Sequence, residues 1–170
     1  WPTNWPAMVA GLAQAWTGGP TGDLAKGCAA IGGLTDADGR TVATALSHLG
    51  RLDGQIAKAN RNKSLTWDFL TAKPEALAKF TDGVEPEELH RAWAYLEAGD
   101  ALLAAIADGT VGEELSLGSH LARAGLQRAA GRALSAREVG SLTERYQAAW
   151  LKRARPGGLD ESRSEEHTSE

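Results

Sequence analysis

Apolar residues recur along this chain at helical spacing, and nowhere do they alternate with period two. Ala and Leu dominate and β-branched residues are sparse. That pattern excludes a sheet of half-buried strands and predicts an all-α fold. Length agrees, since 170 residues make one domain or one domain with a piece of another.

Local punctuation places the helices. Asn4 caps a first helix with Trp5 and Pro6 in its opening turn and Val9, Leu12, Ala13 and Trp16 on one face. Thr17-Gly18-Gly19-Pro20 stops it. A second helix runs near Asp23 to Ile31. A third starts around Asp36–Asp38 and carries Val42, Leu46, Leu49 and Leu52 toward Ile56. After the polar loop Asn60-Arg61-Asn62, Ser64 caps a short helix with Leu65, Trp67, Phe69 and Leu70. Pro74 opens another through Leu77 to Phe80, and Asp82-Gly83 is a turn. Three longer helices follow. The first opens at Pro86 with Leu89, Trp93, Leu96, Leu103 and Ile106 in one stripe and ends at Asp108-Gly109. The second carries Leu117, Leu121 and Ala124 and ends near Gly131. The third opens on Ser135-Ala136-Arg137-Glu138, an S-x-x-E capping box, carries Val139, Leu142, Tyr146 and Trp150, and stops at Pro156-Gly157-Gly158. Their short connections predict a bundle.

Composition narrows the function classes. Lys and Arg number 18 against 22 Asp and Glu, a net charge of −4, which excludes a generic basic surface for nucleic acid. One Cys, Cys28, excludes a disulfide framework and a Cys-based zinc site, and on its Ala-rich helix it reads as a small apolar residue. No apolar run approaches the ~18–20 residues that span a bilayer. The chain opens on Trp1 without Met, so its parent is expected to be longer and its compartment is not legible. Residues 163–170 back-translate into a common sequencing-library adapter and are set aside as an artefact tail, His167 included.

No cofactor or metal motif emerges. Aligning Gly39 of Asp36-Ala37-Asp38-Gly39 to the sixth position of a calcium loop puts Leu34 at the first, so the acids read as a helix start. The Gly-rich Gly18–Gly27 stretch lacks the Gly-Lys-Ser/Thr order of a phosphate loop. His48, His90 and His120 sit on different helices with no i, i+4 pair, so surface or packing roles are expected. Asn62-Lys63-Ser64 matches a glycosylation acceptor without a sign of secretion. The acidic pairs Glu87-Glu88, Glu113-Glu114 and Asp160-Glu161 read as solvated charge at helix starts or a chain end. Of six Trp, Trp16, Trp67, Trp93 and Trp150 lie on apolar stripes and read as packing, as does Trp5. Trp1 is open between packing and walling a sugar subsite, where ring faces stack on apolar sugar faces. Lys152-Arg153-Ala154-Arg155 complements a helix dipole, or supplies donors to an anionic or hydroxyl-rich ligand.

The run Tyr146-Gln-Ala-Ala-Trp150-Leu-Lys-Arg153-Ala-Arg155-Pro156-Gly157-Gly158-Leu159 resembles the C-terminal signature Y-x-x-L-W-L-x-R-N-R-P-G-G-L of bacterial β-N-acetylhexosaminidases of glycoside hydrolase family twenty. It departs at Ala149 and Ala154, where Leu and Asn are usual. Trp1-Pro2-Thr3-Asn4-Trp5-Pro6-Ala7 through Ala15-Trp16 is similar to the segment leading into that group's last barrel helix, and Leu49-Gly50-Arg51 to Asn62–Leu65 fits in order. The resemblance implies the last loop and helix of a TIM barrel over residues 1–18, then a C-terminal helical domain over 19–162. It implies substrate-assisted retaining hydrolysis of terminal β-linked N-acetylhexosamine, an exception to the two-carboxylate rule. Its catalytic Asp-Glu pair would lie upstream of Trp1, leaving this portion alone inactive and without a catalytic residue. Trp1, near the C-terminal face of the barrel, and Arg153 and Arg155, reaching the site across a homodimer, are the implied substrate-binding residues. No nucleic acid, membrane or cofactor is implied. The alternative expectation is a non-enzymatic helical interaction module.

Overall fold

The structure, a computed structural model, describes residues 36–58, 64–106 and 110–152. They form six α-helices and one 3-10 turn, and no strand occurs among the described residues. The all-α expectation therefore holds for them. The two helices expected before Asp36 lie outside the described residues.

Helix α1 spans Asp36–Gly50. Asp36 and Asp38 fall in its first turn, as expected of a helix-start acidic cluster. The sequence pattern carries this helix toward Ile56, but it ends at Gly50. Gly50 and Gly54 are poor helix formers, and the chain between them tightens into i to i+3 bonds. Arg51 N–H donates to His48 O and Leu52 N–H to Leu49 O, both at 3.1 Å. A 3-10 turn over Asp53–Gln55 follows. The tightening still delivers Leu52 and Ile56 to the core, each 4% exposed.

Helix α2 spans Leu65–Thr71, with Ser64 at its N-cap position as expected. The capping chemistry differs from the expectation. Ser64 makes no cap bond of its own; Asp53 reaches across the loop instead. Its carboxylate accepts Leu65 N–H at 2.8 Å and the Ser64 hydroxyl at 3.2 Å. A full negative charge satisfies this helix start more strongly than a hydroxyl does. Helix α3, Pro74–Thr81, begins on proline, whose missing donor costs nothing there. Gly83, at φ +71°, makes the expected turn.

Helix α4 spans Pro86–Ala104 and α5 spans Thr110–Ala129. The buried face of α4 is Glu88, Ala92, Leu96 and Gly99. The expected Leu89 and Trp93 flank that face, half-buried. Helix α5 stops near Gly131 as expected. Gly131 takes φ +81°, letting its N–H reach Arg128 O and Arg132 N–H reach Gln127 O, both at 2.9 Å.

The chain divides into two units, Trp1–Ala133 and Leu134–Glu170. In the first, α2 packs on α5 and α3, α4 packs on α5, and α1 packs on both α4 and α5. One apolar cluster gathers Leu52, Ile56, Leu65, Phe69, Ala92, Leu96 and Leu126. A second joins Val42, Ala43 and Ala45 of α1 to Leu115 of α5, and Leu49 touches both. Phe69, Leu65, Leu96 and Leu126 are fully enclosed, each contributing about 1.5–3 kcal/mol by leaving water. Where α2 crosses α5, Gly125 lets the backbones approach until a side chain there would overlap Thr66 O.

The second unit contains α6, Ala136–Leu151. Its capping box forms as expected: Ser135 Oγ accepts Glu138 N–H at 3.2 Å, and Glu138 Oε2 accepts Ser135 N–H at 2.8 Å. Tyr146 and Trp150, one turn apart, pair their rings at 6.3 Å. Leu142, Tyr146 and Trp150 are half-buried. Val139, expected on the same stripe, is 47% exposed; it stands in the first turn, beside the polar cap.

Candidate functional site

The charged side chains of the first unit converge on backbone atoms at the ends of its short elements. Arg91 donates through Nε and Nη2 to Gln55 O at 3.0 and 2.9 Å. Lys58 Nζ donates to Lys79 O and Asp82 O, both at 2.8 Å, closing the end of α3. Arg128 donates through Nη1 to Leu70 O and through Nη2 to Ala72 O at 2.7 Å, closing the end of α2. Cations at carbonyl-rich helix ends satisfy orphan acceptors and complement the dipole.

Glu88 is the carboxylate counterpart. The sequence reads Glu87-Glu88 as solvated helix-start charge, which holds for exposed Glu87 and fails for Glu88, 8% exposed. Its Oε1 accepts Ala57 N–H at 2.8 Å and its Oε2 accepts Glu85 N–H at 3.1 Å, with Arg91 Nη2 at 3.6 Å. Those amides, Ala57 first, hold its carboxyl below the usual carboxylate range; burial acts the other way, and Arg91 adds to the lowering. The proximity of Ala57, thirty-one positions earlier in the chain, has no local sequence signal. The only local hint is the Glu85–Glu88 spacing of a reach-back cap.

Two further constellations lie on α4. His48 stacks on Tyr95 with ring centroids 3.9 Å apart and planes 3° from parallel, and its Nε2 lies 2.7 Å from Tyr95 O. Since a carbonyl only accepts, that nitrogen carries the proton. Gly99 leaves room for the imidazole: a methyl there would meet His48 Cδ2 at 2.7 Å. The packing role expected of His48 is thus observed. His90 and His120 are exposed, and His120 Nδ1 reaches Ser116 O at 2.6 Å. On the other constellation, Asp100 grips Arg123 through both oxygens at 2.7 and 2.8 Å. The guanidinium lies 5.3 Å from the Trp93 ring centroid, and Trp93 Nε1–H donates to Glu97 at 2.8 Å. The indole packs on the first apolar cluster, so this assembly braces α4 against α5.

The substrate-binding residues expected from the sequence, Trp1, Arg153 and Arg155, lie outside the described residues, as do Cys28, Trp5, Trp16 and Asp160-Glu161. Of the basic run only Lys152 is described, at the C-cap of α6, where a cation complements the helix dipole. Among the described residues no group of three or more His, Cys, Asp or Glu is placed to hold a metal ion. Nor is any described helix long and apolar enough to cross a membrane. No protein-family model, curated protein or solved structure matches the chain.

Proposed function

We propose that this chain is the C-terminal part of a glycosidase that releases terminal β-linked N-acetylhexosamine, a β-N-acetylhexosaminidase of glycoside hydrolase family twenty. Residues 1–18 end its TIM barrel and residues 19–162 form its helical domain. The run Tyr146 to Leu159 carries the reading, and its first six residues form the end of helix α6. The first unit is consistent with a supporting role, because Lys58, Arg91 and Arg128 hold the ends of its short elements and Arg123 with Asp100 braces α4 against α5.

In the proposed parent the acetamido oxygen of the substrate attacks the anomeric carbon. An upstream Asp orients that group, and an upstream Glu protonates the departing oxygen. The same Glu then takes a proton from the water that opens the cyclic intermediate. Trp1 would wall the sugar site, with Arg153 and Arg155 as donors from the end of the last helix, across a homodimer. The partner is an N-acetylhexosamine-containing glycan.

The test is the coding sequence upstream of Trp1. The proposal requires an adjacent Asp-Glu pair roughly 150–250 residues earlier, within a barrel of about 250 residues. An upstream region without barrel periodicity rejects it in favour of a helical interaction module.

A further inference from the structure

We propose that Glu88 is an acid-operated latch: its carboxylate ties the backbone at Ala57 to the start of α4, and protonating it releases that tie. The inference is independent of the glycosidase reading.

The geometry is that of a carboxylate held by an amide on each oxygen. Both Glu88 oxygens face donors, Ala57 N–H on Oε1 and Glu85 N–H on Oε2, and Arg91 adds a third nearby. A proton on either oxygen removes the negative charge that both amides bind and weakens the carboxyl as their acceptor. Glu85 sits three residues away in the same helical turn and stays close by connectivity. Ala57 is thirty-one positions distant in sequence and is the contact that yields.

The other titratable groups around Ala57 do not offer that proton an acceptor. Arg91 is occupied by Gln55 O, and Lys58 by Lys79 O and Asp82 O. Asp53 is turned to Leu65 N–H and the Ser64 hydroxyl. Along α4, Glu85, Glu87 and His90 are exposed. From α1, His48 lies on Tyr95 O, two turns further on; from α5, Arg123 is gripped by Asp100. Release is confined to Ala57, because Arg91 keeps Gln55 O and Lys58 keeps Lys79 O and Asp82 O, and Leu52 and Ile56 stay in the apolar cluster.

The sign follows from the lowered affinity of Glu88 for its proton. The latch is fully closed above the ordinary carboxylate range and is lost as pH falls through the lowered value. Amide hydrogen exchange on the full chain tests this over a series from about pH 7 down to about pH 2, with each rate divided by its intrinsic rate at that pH. Ala57 should lose protection roughly tenfold in acid, as expected for a part-buried bond to a charged acceptor. The Leu96 and Leu126 amides should keep theirs. Glu88→Gln, which puts an amide donor against the same N–H groups, should show the open Ala57 rate already at about pH 7, with no further change in acid. Ala57 protection that is unchanged in acid, or lost together with that of Leu96 and Leu126, overturns the latch. So does a Glu88→Gln chain with the wild-type pH response. If that variant does not fold, the wild-type series decides alone.

Discussion

Two glycines of α5 make a matched pair for testing the packing of the first unit. At Gly125 an added methyl would stand 3.0 Å from the Thr66 carbonyl carbon and closer still to its oxygen; at Gly118 it would meet nothing within 4 Å. Replacing glycine by alanine in a helix interior gains up to about 1 kcal/mol from propensity alone, and at Gly118 that gain should appear undiminished. At Gly125 the same gain is opposed by overpacking, which costs ~1–3 kcal/mol. The obstacle is the backbone of α2, which cannot swing aside as a side-chain tip does, so the upper end applies and Gly125→Ala should lose about 2 kcal/mol net. For a chain of this length that is a fall of roughly 6 °C in Tm, against a rise of roughly 3 °C for Gly118→Ala. Far-UV circular dichroism melts of the three proteins measure both. A Gly125→Ala chain as stable as Gly118→Ala would mean that α2 and α5 do not cross this closely.

Other residues give sharper local readouts. Arg128→Met keeps the aliphatic stem but strands Leu70 O and Ala72 O; urea unfolding should show a loss of about 1.5–3 kcal/mol, and an unchanged midpoint denies the clamp. Gly99→Ala drives the His48 ring off Tyr95 O, so the His48 ring proton shifts should move away from their stacked positions, while in a His48→Ala background the same substitution should stabilise the chain by up to about 1 kcal/mol. Ser135→Ala removes one half of the α6 capping box and should weaken that helix by about 1 kcal/mol. Faster exchange of the Glu138 amide, with no change at Leu126, is the expected signature.

What the sequence discloses is what neighbours in sequence decide. The Ser135–Glu138 box, the proline starts at 74 and 86, the Asp82-Gly83 turn and the Gly131 stop each depend on a few adjacent residues, and all appear where the pattern puts them. Long-range partners escape it. Nothing near Ser64 announces that Asp53 will cap α2, and nothing near Glu88 announces Ala57. The third expected helix overran because Leu52 and Ile56 keep helical spacing past Gly50 while the backbone has already tightened. Gly99 and Gly125 did carry a signal, since a glycine inside a helical pattern costs about 1 kcal/mol and calls for a packing reason. Trp1, Arg153 and Arg155, which lie outside the described residues, are proposed as substrate-binding on the family resemblance alone.

The most direct measurement of the proposed role is hydrolysis of an aryl β-N-acetylglucosaminide by the product of the gene extended upstream of Trp1, beside the 170-residue chain. A hexosaminidase parent should turn over in the extended form, blocked by a thiazoline mimic of the cyclic intermediate, with no turnover by the 170-residue chain itself. An extended protein that is folded, binds neither compound and releases no aglycone would contradict it.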